Sequence, residues 1–155
     1  MNLSANSSSS DPLIRRHFRC GWWLLLAFLS LGILLEAMHG FKVDWYLSVD
    51  NETRRLMWRL SHAHGVLLAL VNIALAATLS GIGLQNASSL RIASLCLIAA
   101  SLLLPGGFLL GGIVIYDGDP GLGILPVPLG GLALFVAVLL VARQVHARTK
   151  GPSSG

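Results

Sequence analysis

The stretch Gly21–Phe41, "GWWLLLAFLSLGILLEAMHGF", decides how the chain folds. It is apolar until Glu36, and the only other ionisable residue is His39. About 20 such residues wound into a helix cross the ~30 Å hydrocarbon layer of a bilayer. The residues follow one another without the strict period-2 alternation of a barrel strand. The stretch therefore reads as a membrane-spanning helix with a carboxyl and an imidazole at its far end.

Three more apolar runs follow, at about Ala63–Leu84, Leu90–Tyr116 and Leu122–Ala142. Composition points the same way. The chain of 155 residues is 54% hydrophobic and 12% charged, whereas a soluble domain carries about a quarter charged residues. The apolar excess must face lipid. The expected architecture is an all-α, four-helix transmembrane bundle in one domain, residues 15–146. Polar segments 1–14 and 147–155 are expected to be disordered tails. The basic start and the Arg15-Arg16 pair raise a signal peptide as a rival for the first run. The run is long and "EAMHG" is a poor cleavage site, so an uncleaved helix is preferred.

Orientation follows from Lys and Arg. With four spans, Arg15, Arg16, Arg19, Arg91, Arg143, Arg148 and Lys150 share one side, and Lys42, Arg54, Arg55 and Arg59 the other. The richer side faces the cytoplasm, which puts both termini there, in a plasma or inner membrane. No basic tract interleaves with aromatics as a nucleic-acid surface would. Cys20 and Cys96 read as lone thiols, with no CxxC pair for zinc or redox work.

The first loop carries Trp45, Tyr46 and Trp58, rings suited to the headgroup level. Asp50 or Asn51 is a fair N-cap for a helix that runs on into the second span. Arg54, Arg55 and Arg59 are expected to reach lipid phosphates or nearby acids. Pro105-Gly106-Gly107 predicts a kink in the third span, because Pro105 donates no backbone hydrogen bond. Asp117-Gly118-Asp119-Pro120-Gly121 is turn chemistry. It resembles the start of a calcium loop but lacks the closing Glu. Pro126 and Pro128 predict a late or irregular start to the fourth helix.

Ionisable groups inside a span are functional candidates by default. Glu36 and His39, spaced i, i+3, share one helix face. The same Glu-x-x-His spacing supplies metal ligands in carboxylate-bridged bundles. Glu36, a turn deeper, needs a proton or a partner such as His39, a second-span histidine or Arg59. His62 and His64, spaced i, i+2, face apart on a helix. His62 shares a stripe with Val66, Ala69 and Ile73, whose smaller side chains favour close helix contact. His64 shares one with Leu68, Val71 and Leu75. His62 is therefore the better inward candidate. Asn72, near the middle of its span, is expected to hydrogen-bond across helices.

Glu36, His39, His62, His64, Asp117 and Asp119 all fall at the extracytoplasmic end of an alternating bundle, while the cytoplasmic end holds Arg and Lys. The expected function is that of a small polytopic membrane protein with a transition-metal or haem site there, built from Glu36, His39 and His62 or His64. Imidazole is the common ligand for such ions. In this reading His39 meets a second-span histidine, because helices joined by a loop of this size pack as neighbours. Two rivals stand beside it. One is a structural or interaction subunit that contacts a membrane-protein partner or a second copy of itself. The other is a small transporter, hinted at by Pro105 and Asn72. No GxSxG or HExxH motif and no Ser-His-Asp arrangement points to a hydrolase.

Overall fold

A computed structural model describes residues 11–82 and 87–149. The helices are α1 (Asp11–Gly40), α2 (Asp44–Leu47), α3 (Glu52–Ile82), α4 (Ala87–Gly111) and α5 (Pro126–Thr149). Four of them are long and apolar enough to cross a membrane. At 1.5 Å per residue, α1 and α3 are about 45 Å long and outreach the hydrocarbon layer by several turns.

The four long helices form a row in chain order. α1 packs on α3, α3 on α4, and α4 on α5. The buried positions explain the seam between α3 and α4. On α4 they include Leu90, Ser94, Leu97, Ser101 and Leu104, alternately four and three apart. On α3 they include Ser61, Leu68, Asn72, Leu75 and Leu79, again at four- and three-residue steps apart from one longer gap at Gly65. Such spacing keeps one stripe facing a neighbour that crosses at a shallow angle. Leucines fill the seam, and Ala137 of α5 closes the cluster.

The seam between α1 and α3 works differently. A Cβ on Gly65 would strike the Phe28 ring, and one on Gly32 would strike the His62 ring. Small residues here let the two backbones approach, as is usual where lipid leaves no hydrophobic drive between helices. Outward faces remain apolar, with Trp22, Trp23 and Ile33 of α1 and Leu132 and Phe135 of α5 largely exposed.

Several boundaries differ from the sequence reading. α1 begins at Asp11, so residues 11–14 are helix and not tail, and α5 likewise includes residues 147–149. Residues 1–10 and 150–155, the rest of both expected tails, lie outside the described residues. α4 ends at Gly111, and the predicted span to Tyr116 finishes instead in a two-residue hairpin that pairs Ile115 with Pro120 and Tyr116 with Asp119. Asp117 and Gly118 form its turn with φ of 47° and 89°, the mirror-image turn that matches strand twist. Pro126 opens α5 after a 3-10 turn at Leu122–Ile124, a place where its missing N–H costs nothing. α1 closes on a Schellman cap, with Val43 N–H on the Met38 carbonyl at 3.0 Å and Lys42 N–H on His39 at 3.1 Å. Lys42, not Gly40, takes the left-handed conformation, with φ of 51°.

Candidate functional site

Two polar clusters lie inside this frame, one toward each end. The first lies nearer the end that holds the start of α1 and the α3–α4 connection. His17 and Asn72 are fully buried there, and Ser94 and Ser101 nearly so. His17 Nδ1 is 2.7 Å from Asn72 Oδ1, and Nε2 is 2.8 Å from Ser94 Oγ. Asn72 Nδ2 donates to the Leu68 carbonyl at 2.8 Å and to Ser101 Oγ at 2.9 Å, and Ser101 donates to the Leu97 carbonyl at 2.7 Å.

With His17 neutral, these contacts assign each donor and acceptor. Asn72 spends its amide hydrogens on Leu68 and Ser101, so its oxygen is the acceptor facing His17. His17 then donates from Nδ1, and Nε2 accepts from the Ser94 hydroxyl. A neutral imidazole in one tautomer closes the set. Three helices are tied together with no donor or acceptor left over, and among the described residues no buried side-chain N or O lacks a partner. Asn72 bonds across helices in two directions, to α1 and to α4.

Sequence reasoning passed over His17 because it opened the first span at Gly21 and took the preceding residues for a flank. A signal was present. His17 is one turn before Gly21 on the face that also carries Gly32 and Leu35, all buried. Ser94 and Ser101 lie between leucines at heptad spacing. The cytoplasm-facing end of the sequence reading is therefore not Arg and Lys alone.

The second cluster lies near the other end, beside α2. A groove of about 560 Å³ runs between α1 and α3, lined by Leu29, Ile33, Glu36, His39, Arg59 and His62, with Tyr46 of α2 at its head. His62 crosses from α3 to donate from Nδ1 to the Phe28 carbonyl at 2.7 Å. Gly32 leaves the space its ring occupies. The contact fixes the tautomer and leaves Nε2 with its lone pair unspent. Glu36 and Arg59 are exposed on opposite walls. Among the described residues neither they nor His39 form a side-chain hydrogen bond or ion pair within the chain.

The groove brings together Glu36, His39 and His62 of the expected site and adds Arg59. It leaves out His64, which donates to its own helix at the Leu60 carbonyl (2.8 Å) and packs on Phe108 of α4, ring centroids 4.9 Å apart. Asp117 and Asp119 are exposed on the hairpin, away from the groove. No group of three or more His, Cys, Asp or Glu side chains among the described residues is arranged to hold a metal ion. Cys20 and Cys96 are free and half-buried.

The other first-loop arginines have a different task from the one expected. Arg55 donates to the carbonyls of Tyr46 (2.8 Å) and Ser48 (2.6 Å). Arg54 donates to Asn51 Oδ1 and to the carbonyls of Gly112 (2.9 Å) and Ile113 (3.3 Å). It also lies 5.1 Å from the centroid of the Trp45 ring. These guanidinium groups satisfy carbonyls at helix ends, where backbone acceptors have no intrahelical partner. Tyr46 is buried under that cap. Arg59 alone of the three points into the groove.

No protein-family model matches the chain, and neither a curated protein nor a solved structure is similar to it.

Proposed function

We propose that the chain is a four-span integral membrane protein with both termini in the cytoplasm, and that it binds a small charged ligand in the α1–α3 groove at its extracytoplasmic end. The role is that of a binding or accessory protein. One observation carries the reading: Glu36, His39, Arg59 and His62 line a single groove, and of their polar atoms only His62 Nδ1 is spent within the chain. Charged groups near the apolar part of a span are costly unless they have a partner. Among the described residues every buried side-chain N and O has a partner, so a groove whose exposed polar groups have none within the chain is the default binding site.

A topology test comes first. Reporter fusions after Lys150 should read cytoplasmic and one after Asn51 should read outside. The opposite signal from the C-terminal fusion would remove the orientation. The site is tested by native mass spectrometry of the gently extracted protein. The wild type should retain a small-molecule adduct that the double variant Glu36→Gln/Arg59→Gln lacks. Matching spectra, or no adduct in either, would refute a groove ligand.

A second reading keeps a metal ion as the ligand. It is favoured by His62, whose Nδ1–H bond to a backbone carbonyl is the usual support for a metal-binding Nε2. Glu36 and His39, one turn apart on α1, would complete the set by rotating their exposed side chains inward. Zinc titration with isothermal calorimetry separates the readings. Binding lost in His62→Ala favours the metal, and no binding by the wild type removes it.

A further inference from the structure

The groove is not uniform along its length, and the gradient says what fits it. Toward the middle of the bundle its walls are Leu29 and Ile33, both exposed apolar side chains of α1. One to two turns further toward α2 come Glu36 and His39 on one wall, with Arg59 on the other and His62 at the floor. A small polar solute would leave the Leu29–Ile33 end unmatched. A plain hydrocarbon would leave four polar groups unmatched. The polar end also holds both signs of charge on separate walls, so neither a purely anionic nor a purely cationic group satisfies it.

Resting on the binding reading above, we propose that the ligand is a phospholipid with a zwitterionic, amine-bearing headgroup. Its phosphate sits at the Arg59 guanidinium, and its ammonium lies between the Glu36 carboxylate and the free Nε2 lone pair of His62. One acyl chain lies along Leu29 and Ile33. Arg matches phosphate oxygens with paired N–H donors. The row-like packing of the helices leaves this side of α1 and α3 uncovered, so a lipid enters sideways from the bilayer.

The test measures binding to the full chain in detergent micelles by native mass spectrometry, with phosphatidylethanolamine, phosphatidylglycerol and water-soluble phosphoethanolamine as probes. Phosphatidylethanolamine should bind about tenfold more tightly than phosphatidylglycerol, the scale of one charge-assisted contact. Glu36→Gln should abolish that preference, and Arg59→Gln should weaken both lipids. Leu132→Ala, on the exposed face of α5, should change nothing and so controls for lipid held anywhere on the apolar surface. Phosphoethanolamine should bind at least about a hundredfold more weakly, because it lacks the buried methylenes. Equal affinity for the two lipids in the wild type would overturn the headgroup assignment. Phosphoethanolamine as tight as the lipid would overturn the acyl-chain half and leave a soluble-ligand groove standing. A protein that takes up none of the three probes, and retains no native adduct either, would lose both this proposal and the reading on which it rests.

Discussion

The two polar clusters each hold a histidine that bridges helices, and they use it to opposite ends. Around His17 and Asn72 every donor has an acceptor, all of it buried between three helices. Around Glu36, Arg59 and His62 only one polar atom is committed, His62 Nδ1, and the rest face an open groove. A histidine in a long apolar helix is thus not informative by its type. What separates scaffold from site is whether its hydrogen-bonding capacity is spent within the chain. A spent network fixes helix register, and an unspent one leaves its capacity for something outside the chain.

The largest expected effect breaks the spent cluster. Asn72→Ala leaves His17 Nδ1–H facing nothing and removes the link to Ser101. A buried orphan donor costs about 2 kcal/mol, which lowers Tm in detergent by roughly 5 °C at this chain length. His17→Ala should cost a similar amount, and the double variant clearly less than the sum, because each single change has already stranded the other's partner. Additive losses in a thermal-melt cycle would mean that the two residues do not act as one unit. Neither change should alter the ligand adduct.

A smaller effect is expected at the hairpin, which belongs to neither cluster. Gly118 has φ of 89°, and a Cβ there costs about 1 kcal/mol of local strain. Gly118→Ala should shift Tm by a few degrees at most and leave the groove untouched, since Gly118 meets the rest of the fold through its carbonyl bond from Thr53 at 2.6 Å. Loss of ligand in this variant would show that the two ends of the outer surface are coupled.

The smallest stability effect belongs to the groove. Glu36→Gln and Arg59→Gln alter exposed side chains without partners in the chain, so each should stay within about 0.5 kcal/mol of the wild type. A drop as large as that of Asn72→Ala would make the groove residues structural and erase the contrast.

How far the sequence foretold this contrast follows from what each feature depends on. Spans are legible because length and apolarity are properties of a local segment, so Gly21–Phe41 declares itself alone. The Asp117-Gly118 turn is legible for the same reason, since positive φ is a local demand. His62 and His64 were separable because two residues on a helix lie about 200° apart, and they do face different neighbours, α1 and α4. The His17 network was not foreseen, because it depends on which helix meets which and at what height. Arg54 and Arg55 differ from expectation because charge alone does not distinguish a lipid phosphate from a helix-end carbonyl. Glu36 and Arg59 were both noticed, but only the packing of α1 on α3 puts them on facing walls.

The most direct test measures stability and ligand together in two variants. Thermal melts and native mass spectrometry with added phosphatidylethanolamine would be run on Asn72→Ala and Arg59→Gln in one detergent. The account predicts a crossed result: Asn72→Ala melts several degrees lower yet carries lipid as the wild type does, whereas Arg59→Gln melts with the wild type and loses lipid. An Arg59→Gln protein that binds like the wild type, or an Asn72→Ala protein that loses lipid while still folded, would contradict it.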